Sequence, residues 1–191
     1  MIKKLYGFVL ICLSLAILSQ PLDARLLSQL PKFEKWVGSQ PDQEILSMTL
    51  FEHPIFRQGI EQLIPLQQWN ELWETYVFAQ PVGQIDHWLV VSGHLKNNPG
   101  DTDMSIFLDT TTQQVAGVCL ASYSRVYPYY PDAHEADGEE RPLHISLVEV
   151  KYYIPAGQLV FNATDQFADC GRGNPEKAIK QWQALQILLG K

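Results

Sequence analysis

Five histidines, three cysteines and several carboxyl-rich stretches are the residues of this chain with chemistry to offer. His134-Glu135 followed by His144 has the residue types of a zinc protease, but not the spacing. The helical zinc motif needs two histidines four apart on one face, whereas these are ten apart across Pro142. Around them, Asp132, Glu135, Asp137, Glu139 and Glu140 form an acidic run without the ordered oxygen ladder of a calcium loop. It reads as a solvated loop that attracts basic partners by long-range steering, an effect that salt weakens. A serine nucleophile lacks its Gly-x-Ser-x-Gly elbow. Cys170 precedes Gly171-Arg172-Gly173, which sets a thiol beside a positive charge, but a nucleophilic thiol also needs a positioned base. The Gly-Arg-Gly run reads as a turn before a helix. Asp101 and Asp103 are a carboxylate pair of the kind any acidic protein offers. No catalytic residue, metal site or cofactor is assigned.

A polar segment remains, Ser92-Gly93-His94-Leu95-Lys96-Asn97-Asn98-Pro99-Gly100-Asp101-Thr102-Asp103. It is longer than a tight hairpin needs, and its glycine, asparagine and proline place it at the surface. Loops held on rigid scaffolds often carry binding function, so His94, Lys96, Asp101 and Asp103 are the expected partner-binding residues.

The elements that must hold this segment follow from periodicity. Residues 26–37 carry apolar positions at helical spacing, broken by Pro31, and read as a linker with a short amphipathic helix. Ile55, Phe56, Ile60, Leu63 and Ile64 predict a helix opened by Pro54 and closed by Pro65. Leu66, Trp69, Leu72, Trp73 and Tyr76 predict a second; its aromatic stripe is read as core, with a ligand platform as the alternative. Beyond Pro81, strands are expected at residues 88–91, 104–108, 115–121, 145–150 and 159–161. The connection around residues 109–113 is too short for a helical crossover, so neighbouring strands should pair antiparallel. Asn174 caps a last helix with Pro175 in its first turn, and Ala178, Ile179, Trp182, Leu185 and Leu189 form its buried stripe. The expected fold is α+β, an antiparallel sheet with flanking helices.

The 191 residues are 46% hydrophobic and carry a formal charge of −7, which suits one globular domain rather than a disordered tail. An acidic chain lacks the clustered Lys and Arg that nucleic acid requires, and it favours a basic protein partner. Residues 1–24 read as a signal peptide: Lys3 and Lys4, then an uncharged apolar run too short to span a membrane, then Ser19-Gln20-Pro21. An uncleaved anchor is the alternative. Loss of residues 1–24 removes Lys3, Lys4 and Asp23 and takes the charge to −8, with no membrane span left in the mature chain. The expected organisation is signal peptide 1–24, N-terminal linker 25–53 and a single domain 54–191, in a periplasmic or secreted protein. The mature chain keeps Cys119 and Cys170. In an oxidising compartment these form a disulfide or stay two buried thiols; both remain open.

Over residues 56–122 the chain resembles the inhibitor of vertebrate lysozyme (Ivy) family. The likeness rests on a helix (residues 56–64), a Pro/Trp segment (65–69), a strand (88–92), a protruding loop (93–101), a Met-Ser-Ile-Phe strand (104–109) and a Gly-containing strand (115–120). It implies a periplasmic, Ivy-like fold of a sheet with flanking helices. It also implies a loop that enters the lysozyme active-site cleft, where a histidine meets the catalytic carboxylates. The family's loop reads Cys-Lys-Pro-His-Asp-Cys, whereas this one has no cysteine. The family histidine falls near Lys96, and His94 lies two positions earlier. The resulting expectation is a non-enzymatic inhibitor that binds a basic, lysozyme-like wall glycosidase through His94, Lys96, Asp101 and Asp103. The alternatives are an immunity protein against another secreted toxin, and a secreted hydrolase using His134, His144 or Cys170.

Overall fold

The computed structural model describes residues 28–78, 80–96, 102–126, 144–161, 169–171 and 173–190. Residues 1–24, expected as a signal peptide, the acidic run with His134, and residues 97–101 with Asp101 lie outside them. The chain divides into two compact units, Met1–Pro31 and Lys32–Lys191. The second unit carries all the elements that follow.

Helix α1 spans Pro54–Leu63, α2 Leu66–Thr75 and α3 Pro175–Leu188. Pro54 and Pro175 occupy first-turn positions, where a missing N–H costs no hydrogen bond. Pro65 forces Ile64 into extended backbone and so ends α1. Asn174 Oδ1 accepts the Lys177 N–H at 3.0 Å, the expected cap of α3. The strands are β1 Tyr76–Val77, β2 Gly83–Ile85, β3 Trp88–Leu95, β4 Thr102–Asp109, β5 Gln114–Val126, β6 His144–Ile154 and β7 Gly157–Phe161. They form one seven-stranded antiparallel sheet in the order β1-β3-β4-β5-β6-β7, with β2 sharing the outer edge of β3. The α+β architecture of an antiparallel sheet with flanking helices is therefore present.

Both sheet faces are covered, which is why residues 88–91 read as an unbroken apolar run. Leu89, Val91, Met104, Ile106, Leu108, Val118 and Leu120 point one way and pack with Phe56, Ile60, Ile64 and Trp69 of α1, α2 and their junction. Val90, Phe107, Cys119, Ala121, Val150 and Tyr152 point the other way and pack with Ala178, Ile179, Trp182 and Leu185 of α3.

Of the stretch expected as a linker, residues 32–53 are part of this body. Phe33, Trp36 and Leu50 are fully buried in the first core, and short 3₁₀ turns at Phe33–Trp36 and Leu50–Glu52 deliver them. The Phe33 N–H donates to Gln113 Oε1 at 3.0 Å, and Gln113 donates to Glu34 Oε2 at 3.0 Å, which ties the stretch to the β4–β5 turn. Phe33 and Trp36 fall within the helical spacing read over residues 26–37, whereas Leu50, alone on its turn, leaves no periodicity to read. Thr49 and Glu52 form a reciprocal cap on the second turn. The hydrogen bonds from Thr49, its backbone N–H first, hold the exposed Glu52 carboxyl below the usual range.

Candidate protein-binding site

Half of the polar segment expected as a loop is strand. β3 runs to Leu95 and β4 starts at Thr102, with His94 opposite Asp103 and Gly93 opposite Met104. Ser92, Gly93, His94 and Asp103 are thus ladder residues. His94 is half-buried, paired in register with Val77 on one side and Asp103 on the other. Asp103 is 4% exposed, and its Oδ2 accepts the Cys170 N–H at 3.1 Å. It braces the interior.

Asp103 and Ser105 are polar because of what lies across from them. Cys119 on β5 is bonded to Cys170, with Cα atoms 5.6 Å apart at a sequence separation of 51. The Cys170 carbonyl accepts from Ser105 Oγ at 2.6 Å, and Ser105 and Ser92 hydroxyls lie 3.1 Å apart. Both backbone groups of Cys170 are thereby satisfied in a buried setting, as burial demands. Next to it, Asp169 accepts from the Gly171 N–H at 2.9 Å, from Gln181 at 3.0 Å and from the Lys177 ammonium. Burial pushes the Asp169 carboxyl up, but Lys177 and these hydrogen bonds outweigh it and leave it below the usual range. Gly171, at φ +98, lies so close to Ala178 that an added Cβ would meet the Ala178 Cβ at 2.6 Å. Gly171 and Gly173 both have positive φ, the Gly171 carbonyl accepts the Asn174 N–H at 2.9 Å just before α3, and the chemistry at Cys170 is a cross-link.

Lys96 is different. It is exposed, and its N–H donates to the Thr75 carbonyl at 2.8 Å, which pins the exit of β3 to the end of α2. It borders a cleft of about 510 Å³ walled by Phe51, Trp73 and Phe78, with Asp42 and Glu74 among its lining residues. His94 is not part of that lining. Trp73 is 39% exposed; its ring centroid lies 4.3 Å from that of Phe51 and 5.6 Å from that of Phe78. Gly93 makes the Phe78 position possible, since a Cβ there would meet the ring at 2.8 Å. Of the stripe expected on the second helix, Trp69 is core and Trp73 wall. The sequence signal for the cleft was that stripe, read as core with a ligand platform as the alternative.

Among the described residues no group of three His, Cys, Asp or Glu side chains converges to hold a metal ion, and no helix is long and apolar enough to cross a membrane. His134 lies outside those residues, and of His144 the backbone in β6 is described. A surface aromatic cleft with separated charges beside a strand exit suits recognition of a partner's side chain. Compared with protein-family models, curated proteins and solved structures, the chain has no match.

Proposed function

We propose that this chain is an exported protein-binding module that blocks a basic, lysozyme-like wall glycosidase by presenting the β3–β4 connection to its substrate cleft. The observation that carries this reading is Lys96, an exposed cation set at the exit of a strand in a sheet packed on both faces. An ammonium so placed can donate to carboxylates of the kind that line a glycosidase active site. Little backbone entropy is lost in positioning it, because its N–H is already held by Thr75. The resemblance to the Ivy family over residues 56–122 supports the same reading. The acidic charge of −7 supports fast encounter with a basic enzyme. The Cys119–Cys170 cross-link and the leader-like residues 1–24 support a periplasmic or secreted location. In this proposal Lys96 is the principal contact, Asp101 lies in the same connection, and His94 acts from the strand behind them.

The test is binding to purified c-type lysozyme at low and moderate salt, with wall hydrolysis followed in the same samples. Tight binding with loss of hydrolysis, weakened about tenfold or more by Lys96→Ala, is the expected result. Unchanged affinity in the Lys96→Ala/His94→Ala double variant overturns the proposed contact. Absence of binding overturns the proposed target.

A further inference from the structure

The cleft beside Lys96 has a composition that the inserted connection alone does not explain. Four aromatic residues, Phe51, Trp73, Tyr76 and Phe78, line it, and Trp73 keeps over a third of its surface exposed. Against that wall stand Asp42 and Glu74, both exposed, and neither is in an ion pair among the described residues. With Lys96 included, the ionised lining carries a net charge of −1. Free carboxylates disfavour an anion at this place, and an aromatic wall gives a small hydrated cation nothing to pack against. A planar, weakly hydrated cation satisfies both: it stacks on an indole face and donates paired N–H groups to a carboxylate.

We infer that this cleft is a receptor for an arginine side chain projecting from the partner protein, with Trp73 as the stacking surface and Asp42 and Glu74 as acceptors. The inference rests on the reading of the chain as a protein-binding module and names a second contact beside the proposed insertion at Lys96. Charge complementarity argues for the occupant: a chain of net charge −7 meets basic surfaces, and arginine is the basic residue most enriched in interfaces. It also makes the cleft an anchor. A partner arginine seated here sits next to the residue proposed to enter the enzyme, which fixes the orientation of the connection.

The experiment needs no glycosidase. The purified protein is titrated with N-acetyl-arginine amide and, separately, with its uncharged near-isostere N-acetyl-citrulline amide, each to saturation or the solubility limit. The indole N–H resonance of Trp73, assigned from Trp73→Phe, is followed by NMR. Arginine amide should shift that resonance and citrulline amide should not. In Asp42→Asn/Glu74→Gln the apparent affinity should fall about tenfold, with the remaining spectrum unchanged as a check on folding. Equal responses to the two ligands, no response to either, or an undiminished response in the double variant overturns the inference. Because the readout is the cleft itself, failure to bind lysozyme would end the proposed target and leave this result standing. Lysozyme inhibition without an arginine-selective shift would do the reverse.

Discussion

Trp182 and Trp73 are indoles on opposite faces of the same sheet. Trp182 is 1% exposed, stacked on Phe107 with centroids 4.6 Å apart and planes 8° from parallel, and edge-on to Trp88. Room for it is made by Gly117, where a Cβ would meet the indole at 2.4 Å. Its helix is fastened to the sheet by Cys119–Cys170, by Asp103 and Ser105 on the Cys170 backbone, and by Lys177 and Gln181 on Asp169. Trp73 is held by ring contacts with Phe51, Trp69 and Phe78, and a large part of it faces a cleft. Covalent and polar fixation is thus concentrated under α3, while the α2 side keeps aromatic surface open. One face gives the molecule its rigidity, and the other is equipped to touch something else.

The largest effect separating the two faces should come from Trp182→Ala, which empties a packed site and should lower unfolding free energy by up to about 5 kcal/mol. Urea denaturation measures it; a loss no larger than that of Trp73→Ala would erase the contrast. Replacing Cys119 and Cys170 by Ala should cost about 4 kcal/mol, the loop-closure value for a cross-link spanning 51 residues. A change below about 1 kcal/mol by the same method would mean that the polar contacts hold the segment unaided.

A smaller effect, about 1–2 kcal/mol at neutral pH, is expected for Asp169→Asn, and it should carry a pH signature. The Asp169 carboxyl titrates lower folded than unfolded. Its stabilisation is therefore complete above the unfolded aspartate value of about 3.9 and is lost as pH falls through the folded one. Thermal melts of the native protein should fall away more steeply below about pH 4 than those of Asp169→Asn. Parallel acid limbs would remove Lys177–Asp169 from the list of fastenings. Smallest of all, Trp73→Ala should cost about 1 kcal/mol, and Lys96→Ala should stay within about 0.5 kcal/mol, both by urea denaturation. Larger losses at either position would make the cleft a structural element and blur the distinction.

The sequence made the sheet legible where one periodicity dominated. Met104, Ile106 and Leu108 alternate along β4, and the Asn174-Pro175 start of α3 stands at its expected place. Sequence misled where a polar residue answers a distant one. Ser92 and Asp103 suggested a surface loop, yet their partners Ser105 and Cys170 lie 13 and 67 residues away. Gly93 suggested a turn, but its role is to let the Phe78 ring lie against a strand. Residues 38–53 gave no signal because a single anchor such as Leu50 on a 3₁₀ turn has no period. Of the expected site residues, Lys96 was legible as an exposed cation. The cleft it borders was legible only in part: Trp73 belongs to the stripe whose alternative reading was a ligand platform, but Phe51 and Phe78 join it only through the fold. The Cys119–Cys170 pairing required the sheet register, which sets β5 beneath the segment that precedes α3.

That cross-link has one further consequence, for life among proteases. The peptide chain between Cys119 and Cys170 closes a ring, so one cut anywhere in residues 120–169 opens the ring without separating the molecule. The fragment with Lys96 and Trp73 would stay bound to the fragment with α3, migrating as a single species until a reductant is added.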